Sequence, residues 1–160
     1  MRKSIVVLVI FFASTIAVAA NYDPLNDIQI STQEAVFELD HLSGQNLADK
    51  FKRSAFCAGA GETRANLAAA DEVADLIGSN TFTPGEHDMI LQLVNEIDRT
   101  IDYCSGRVPP WSNQLISDDA MKVEFNQYKA YFFPKLKTLD QRIKSAVRSN
   151  ELVQQHVNSR

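Results

Sequence analysis

The sequence has few of the residues and motifs that form catalytic and metal sites. Its 160 residues include only three histidines and two cysteines. The histidines lack the paired i, i+3 or i, i+4 spacing of a helical metal site, and the cysteines do not form a Cys-x-x-Cys motif. We find neither a nucleophile elbow nor a glycine-rich phosphate loop that follows a strand. We therefore expect no catalytic residues, no metal and no cofactor, and we predict that the protein is not an enzyme.

Two of the histidines nevertheless stand beside acids. His41 follows Asp40, and His87 lies between Glu86 and Asp88. Imidazole and carboxylate together are suitable ligands for zinc, so metal binding is the alternative interpretation. We prefer to interpret Glu86 and Asp88 as acids in the first turn of a helix, where the helix dipole favours negative charge.

Basic residues are scarce in most of the chain. Residues 21–104 contain 15 acids and 5 bases, whereas residues 105–160 contain 9 bases and 5 acids. A nucleic-acid partner requires a basic surface, so we do not expect one. Either the two parts pack together and partly neutralise each other, or the acidic part presents a face to a basic partner.

The first twenty residues, 1–20, have the pattern of a secretory signal peptide. Arg2 and Lys3 precede the apolar run Ile5–Phe12, and Ala17-Val18-Ala19 fits a small-x-small cleavage site. The apolar run is shorter than the roughly 20 residues that span a bilayer, which argues against an uncleaved anchor. We therefore predict export to the periplasm or the extracellular space, with no stable membrane anchor after cleavage.

The two cysteines are placed symmetrically about a predicted helix–loop–helix. Cys57 precedes Gly78 by 21 residues, and Cys104 follows Pro84 by 20 residues. In an antiparallel hairpin the two would lie at the same level within about 1.5 Å. Because an exported protein meets an oxidising environment, we predict a disulfide between Cys57 and Cys104.

No stretch alternates with period two, so the pattern favours an all-α fold. We predict an antiparallel bundle of three long helices and one short helix over residues 31–148. Residues 21–30 would form an extended lead-in, and residues 149–160 a flexible tail. The short helix would begin at a capping box, Ser31 to Glu34, and end near His41.

The second helix is predicted to begin near Gln45 and to end at Gly78. Its residues at steps of three and four predict the inward face Leu47, Phe51, Ser54, Ala58, Gly61, Ala65, Ala69, Val73 and Leu76. The small residues around Gly59 and Gly61 would let another helix approach closely, as a disulfide requires. A break of the helix near these glycines is the alternative.

The third helix is predicted to begin at Thr83-Pro84, with Thr83 as N-cap, and to reach Cys104. The fourth would start at Ser117 or Asp118 and continue across Pro134. Its predicted core face is Met121, Phe125, Tyr128, Phe132, Leu136, Leu139, Ile143 and Val147.

Three aromatic residues are candidates for a partner surface. Trp111 follows two prolines in a loop, where it would either anchor an interface or cap the end of the bundle. Tyr131 and Phe133 point away from the predicted core face of the fourth helix. They would either pack under the first helix or contact another protein.

One short segment is similar to a known class of proteins. Phe56-Cys57-Ala58-Gly59 resembles the cysteine-x-glycine helix of some exported immunity proteins, which block toxins delivered to the periplasm. The resemblance covers four residues, and the further cysteines of that pattern are absent. It therefore assigns no role to any residue of this chain.

Our functional hypothesis is an exported, non-catalytic protein that binds another protein, as an inhibitor or an immunity-type factor does. The absence of a catalytic motif and the crosslinked scaffold motivate it. A carrier of a small apolar ligand is the alternative, suggested by the aromatic-rich fourth helix and the small residues of the second. A periplasmic stress chaperone is a third, and it would need an exposed apolar surface.

Overall fold

The structure, a computed structural model, describes residues 23–78 and 81–159 of the chain. These residues form four α-helices and no strand: α1 Pro24–His41, α2 Lys50–Ile77, α3 Pro84–Ser105 and α4 Asp118–Asn158. The predicted all-α helical bundle is confirmed. The predicted signal peptide, residues 1–20, lies outside the described residues.

The four helices form a ring in which each packs against two neighbours. α1 and α3 both pack against α2 and α4, and the contact between α3 and α4 is the least extensive of the four. The Tyr103 hydroxyl at the end of α3 donates to Asp118 at the start of α4. Arg142, far along α4, donates to Glu86 in the first turn of α3. α3 and α4 are therefore antiparallel.

α1 begins earlier than predicted. The Asp23 side chain accepts hydrogen bonds from the backbone N–H groups of Leu25 and Asn26, and Pro24 occupies the first turn. Prolines fit this position because the N–H they lack has no partner within the helix. The extended lead-in over residues 21–30 is thus wrong for its described part, and Ser31, the predicted cap, lies inside α1.

α2 is one unbroken helix, but its inward face differs from the predicted one. It begins at Lys50 with Asp49 as N-cap, not near Gln45. Phe51 and Leu76, both predicted to face inward, are 86% and 79% exposed. The residues that α2 buries are Phe56, Gly59, Ala60, Thr63, Leu67, Ala70 and Ala74. Each buried residue follows a predicted one by one or two positions, which places the buried stripe on roughly the opposite side of the helix.

The error has a physical cause. Alanine and glycine recur on both sides of α2 at helical spacing, so period alone does not choose between the two stripes. The buried stripe carries Phe56 and Leu67, but the predicted one carries Phe51 and Leu76, so the size of the apolar side chains does not choose between them either.

The close approach at Gly59 involves α1 and not the disulfide partner. A Cβ at Gly59 would lie 2.7 Å from a methyl carbon of Leu42, whereas a Cβ at Gly61 would have no neighbour within 4 Å. Only the first of the two glycines is therefore required by packing.

α3 follows the prediction closely. Thr83 caps it in a capping box with Glu86, and Gly106 ends it in the left-handed conformation that glycine favours. Cys57 and Cys104 form the predicted disulfide between α2 and α3, with their Cα atoms 5.7 Å apart. Both cysteines are partly buried at the edge of the core.

α4 buries all eight of its predicted core residues and continues through Pro134. Ser117 caps it, as one of the two predicted alternatives. The flexible tail predicted for residues 149–160 is wrong for its described part, because α4 extends to Asn158. Neither glycine nor proline occurs between Pro134 and that residue, so no local signal ends the helix earlier.

Within residues 23–78 and 81–159, none of the helices combines the length and the apolar character needed to cross a bilayer.

Candidate functional site

An open groove lies along the sparse contact between α3 and α4. Its volume is about 880 Å³. It is lined by Glu96, Arg99, Asp119, Ala120, Val123, Glu124, Gln127, Tyr128, Tyr131 and Phe132. A smaller pocket of about 360 Å³ shares Glu96 and Arg99 with it and includes Pro110 and Trp111. The two pockets adjoin at these shared residues, and we call them together the Arg99 groove.

Arg99 joins three parts of the chain at the middle of this groove. Its Nε lies 2.6 Å from Oε1 of Glu124 on α4, and its Nη1 lies 3.5 Å from Glu96 on α3. The guanidinium carbon stands 4.9 Å from the centre of the Trp111 ring, a cation–π arrangement. Trp111 is therefore held in place although its residue is 58% exposed.

Tyr131 marks the other end of the groove. It is 54% exposed, and the ammonium nitrogen of Lys135 lies 3.6 Å from its ring centre. The ring of Phe132 is buried and meets Tyr131 edge-on at 4.9 Å. Val123, on the same helix, is 57% exposed. This end of the groove is thus apolar and aromatic.

One acid in the lining of the groove, Glu124, has a shifted pKa. Burial raises the pKa of Glu124, the charge of Arg99 partly opposes this rise, and the charge of Glu96 adds to it. Beneath it, the hydroxyl groups of Tyr128 and Thr100 are 2.8 Å apart. Burial also raises the pKa of Tyr128 above its usual range. These groups link α3 to α4 under the groove.

The lining of the Arg99 groove is mixed in chemical character. Its lining contains acids, an arginine, amides, aromatic rings and aliphatic side chains, but no serine, cysteine or histidine. Glu124, the acid with the raised pKa, has Arg99 and Glu96 as its charged neighbours.

Of the three predicted interface residues, two line the Arg99 groove and one does not. Trp111 and Tyr131 both line the Arg99 groove, although 20 residues separate them in the chain. Phe133 is not part of it and packs, partly buried, against the core. Sequence reasoning missed Arg99, for which one signal was available: it is the only arginine or lysine of α3.

The histidines beside acids make local contacts instead of forming a metal cluster. Nδ1 of His87 lies 2.7 Å from the Asp71 carboxylate on α2, and Nδ1 of His41 lies 2.7 Å from the Phe37 carbonyl oxygen. No group of three or more potential metal ligands occurs in the described parts of the chain.

The fold and the groove define a disulfide-linked four-helix bundle with an aromatic surface groove. Comparison of the chain with protein-family models, with curated proteins and with solved structures found no match. The functional argument therefore depends on the residues of the groove themselves.

Proposed function

We propose that this is an exported, non-catalytic protein that binds another protein through the Arg99 groove, as an inhibitor or an immunity-type factor. The observation that carries the proposal is the position of Trp111 and Tyr131. Both rings are more than half exposed, and they line two adjoining pockets that share Glu96 and Arg99. Tryptophan, tyrosine and arginine are the residues enriched at the energetic centres of protein interfaces.

Preorganisation of the groove supports this role. Arg99 contacts Glu96, Glu124 and the Trp111 ring in the unbound chain. A partner would therefore find these side chains already positioned and would lose less conformational entropy on binding.

Export is supported by the disulfide together with the pattern of the first twenty residues. Disulfides persist in secreted and periplasmic proteins and are rare where thiols are kept reduced. Mass spectrometry of exported material should show a chain shortened by about 20 residues with Cys57 and Cys104 oxidised. A full-length chain that stays inside the cell would oppose this part of the proposal.

The test of the groove is a matched set of variants. Trp111→Ala combined with Tyr131→Ala should weaken binding of a partner identified by crosslinking by roughly thirtyfold or more, as loss of an interface centre does. Phe51→Ala is the control, because Phe51 is 86% exposed at the start of α2 and does not line the groove. If both variants bind equally well, or if the protein turns over substrates of a hydrolase panel, the proposal is wrong.

The groove also suits the second candidate, a carrier of a small apolar ligand. Its volume of about 880 Å³ lies within the usual range for ligand sites, and Val123, Tyr131 and Phe132 give it an apolar end. Native mass spectrometry of the exported protein would show a copurified ligand that Val123→Asp removes. A protein free of ligand that binds a partner protein would favour the first proposal.

A further inference from the structure

The last part of α4 extends beyond the rest of the bundle. Val147 is the last buried residue of the helix, and all residues from 148 to 159 are exposed. We call residues 148–158 the α4 overhang, which is about three turns or ~16 Å long. Isolated helices of this length are marginal in water. The overhang would therefore gain stability from a surface on which to pack.

The overhang carries apolar side chains, one arginine, Arg148, and one acid, Glu151. Leu152, Val153 and Val157 are 67%, 60% and 62% exposed. Val153 and Val157 are four residues apart and share a face, and Arg148 and Leu152 share the adjacent one. Arg148 makes no salt bridge to any described residue.

The end of α2 has the complementary character. Leu76 and Ile77 are 79% and 43% exposed there. Glu72 and Asp75 are exposed acids for which the described chain provides no salt bridge. α2 has no basic residue in its last turn, so these acids lie near the negative end of the helix dipole. A cationic side chain of another molecule would therefore be stabilised at the end of α2.

The two complementary surfaces lie at the same end of the bundle. Arg142 of α4 donates to the carbonyl oxygen of Thr81, which lies just after the end of α2, and to Glu86 at the start of α3. The overhang begins six residues beyond Arg142 and continues past this end. One end of the molecule thus carries both an apolar helix with a cation and an apolar helix end with acids.

We propose that two copies of this chain associate through this end, with the α4 overhang of each packed on the end of α2 of the other. A two-fold axis makes both contacts equivalent, so a self-complementary end closes into a dimer and not a chain of molecules. Arg148 of one copy then faces Glu72 and Asp75 of the other. Three helical turns bury less than the roughly 800 Å² per partner of a standard interface, so we expect a dimer dissociation constant in the micromolar range or weaker.

Sedimentation velocity of the purified protein over a range of about 1–200 μM tests this dimer. The sedimentation coefficient should rise from the monomer to the dimer value across the range. Val153→Asp with Val157→Asp should raise the dimer dissociation constant at least about tenfold, because burial of two apolar side chains is lost. Leu115→Asp is the control, since Leu115 is 60% exposed in the loop before α4. The inference is overturned if the protein stays monomeric throughout, or if the control weakens the dimer equally.

Exchanging the charges of Arg148 and Asp75 tests whether the dimer depends on their pairing. It distinguishes loss of that pairing from unfolding of the overhang helix. Arg148→Glu and Asp75→Arg should each weaken the dimer, since like charges then meet across the two-fold axis. Both substitutions in one chain restore opposite charges and should return the dissociation constant toward that of the unmodified protein. Circular dichroism should show equal helix content in the three variants. Failure of the double variant to recover dimerisation would refute the proposed pairing of overhang and α2 end.

Discussion

Removal of the disulfide should lower stability substantially without abolishing the bundle. The bond joins residues separated by 47 positions and thereby restricts the unfolded chain. The chain-entropy relation gives about 4 kcal/mol for a loop of this length at 25 °C. Domains of this size are stable by about 5–15 kcal/mol, so the disulfide supplies a large fraction of the total.

Contacts beside the disulfide should keep the reduced protein folded. Arg53 on α2 stacks on the ring of Tyr103 at 4.7 Å and lies 3.7 Å from Asp118 on α4. Arg53 lies one helical turn before Cys57 and Tyr103 directly precedes Cys104, and neither contact involves the sulfur atoms. The helix content of the reduced bundle should therefore be close to that of the oxidised one.

The measurement is thermal unfolding of Cys57→Ala with Cys104→Ala, followed by circular dichroism. For a domain of roughly 140 residues, a loss of 4 kcal/mol corresponds to a midpoint lower by about 10–16 °C. The protein with both cysteines should show the same decrease when a reductant is added, whereas the reductant should not affect the variant. A variant that unfolds within about 3 °C of the oxidised protein would refute the loop-entropy reasoning.

Two further predictions concern the glycines of α2 and the pH dependence of stability. Gly61→Ala should stabilise the protein by about 1 kcal/mol through helix propensity, because its new Cβ meets nothing within 4 Å. Gly59→Ala should destabilise the protein, because its Cβ would lie 2.7 Å from the Leu42 methyl carbon. Chemical denaturation measures the free energy of unfolding of the two variants. Equal changes in that free energy would contradict the close packing at Gly59. Burial raises the pKa of Tyr103 to about 12 from 10, so between these values the unfolded chain loses the proton first and stability falls as the pH rises. Urea denaturation from pH 9 to 12 should show a smaller decline for Tyr103→Phe, and an unchanged decline would contradict the burial of this hydroxyl.

The comparison of α2 with α4 shows where sequence reasoning succeeds. α4 has large apolar residues at helical spacing on one face only, so its eight core residues were predictable. α2 has small residues on two faces and large apolar residues on both, Phe56 and Leu67 on the buried face and Phe51 and Leu76 on the exposed one. Its sequence pattern alone therefore did not identify the face that turns inward.

The Arg99 groove was predictable in part. Trp111 and Tyr131 could be recognised as aromatic residues without a place on a core stripe. Their common groove could not be predicted, because it depends on how far α3 and α4 separate and on the path of the loop between them. Arg99 contacts Trp111 in the loop and Glu124 on α4 across that space.

The sequence by itself determined the features that depend on neighbouring residues: the helix α3 with its capping box, the core face of α4, and the level at which Cys57 and Cys104 meet. These follow from local hydrogen bonding and from the fixed rise of a helix. The tertiary structure alone decided the inward face of α2 and the positions of Trp111 and Tyr131 along one groove. Both depend on packing between helices, where contacts distant in the chain outweigh local preference.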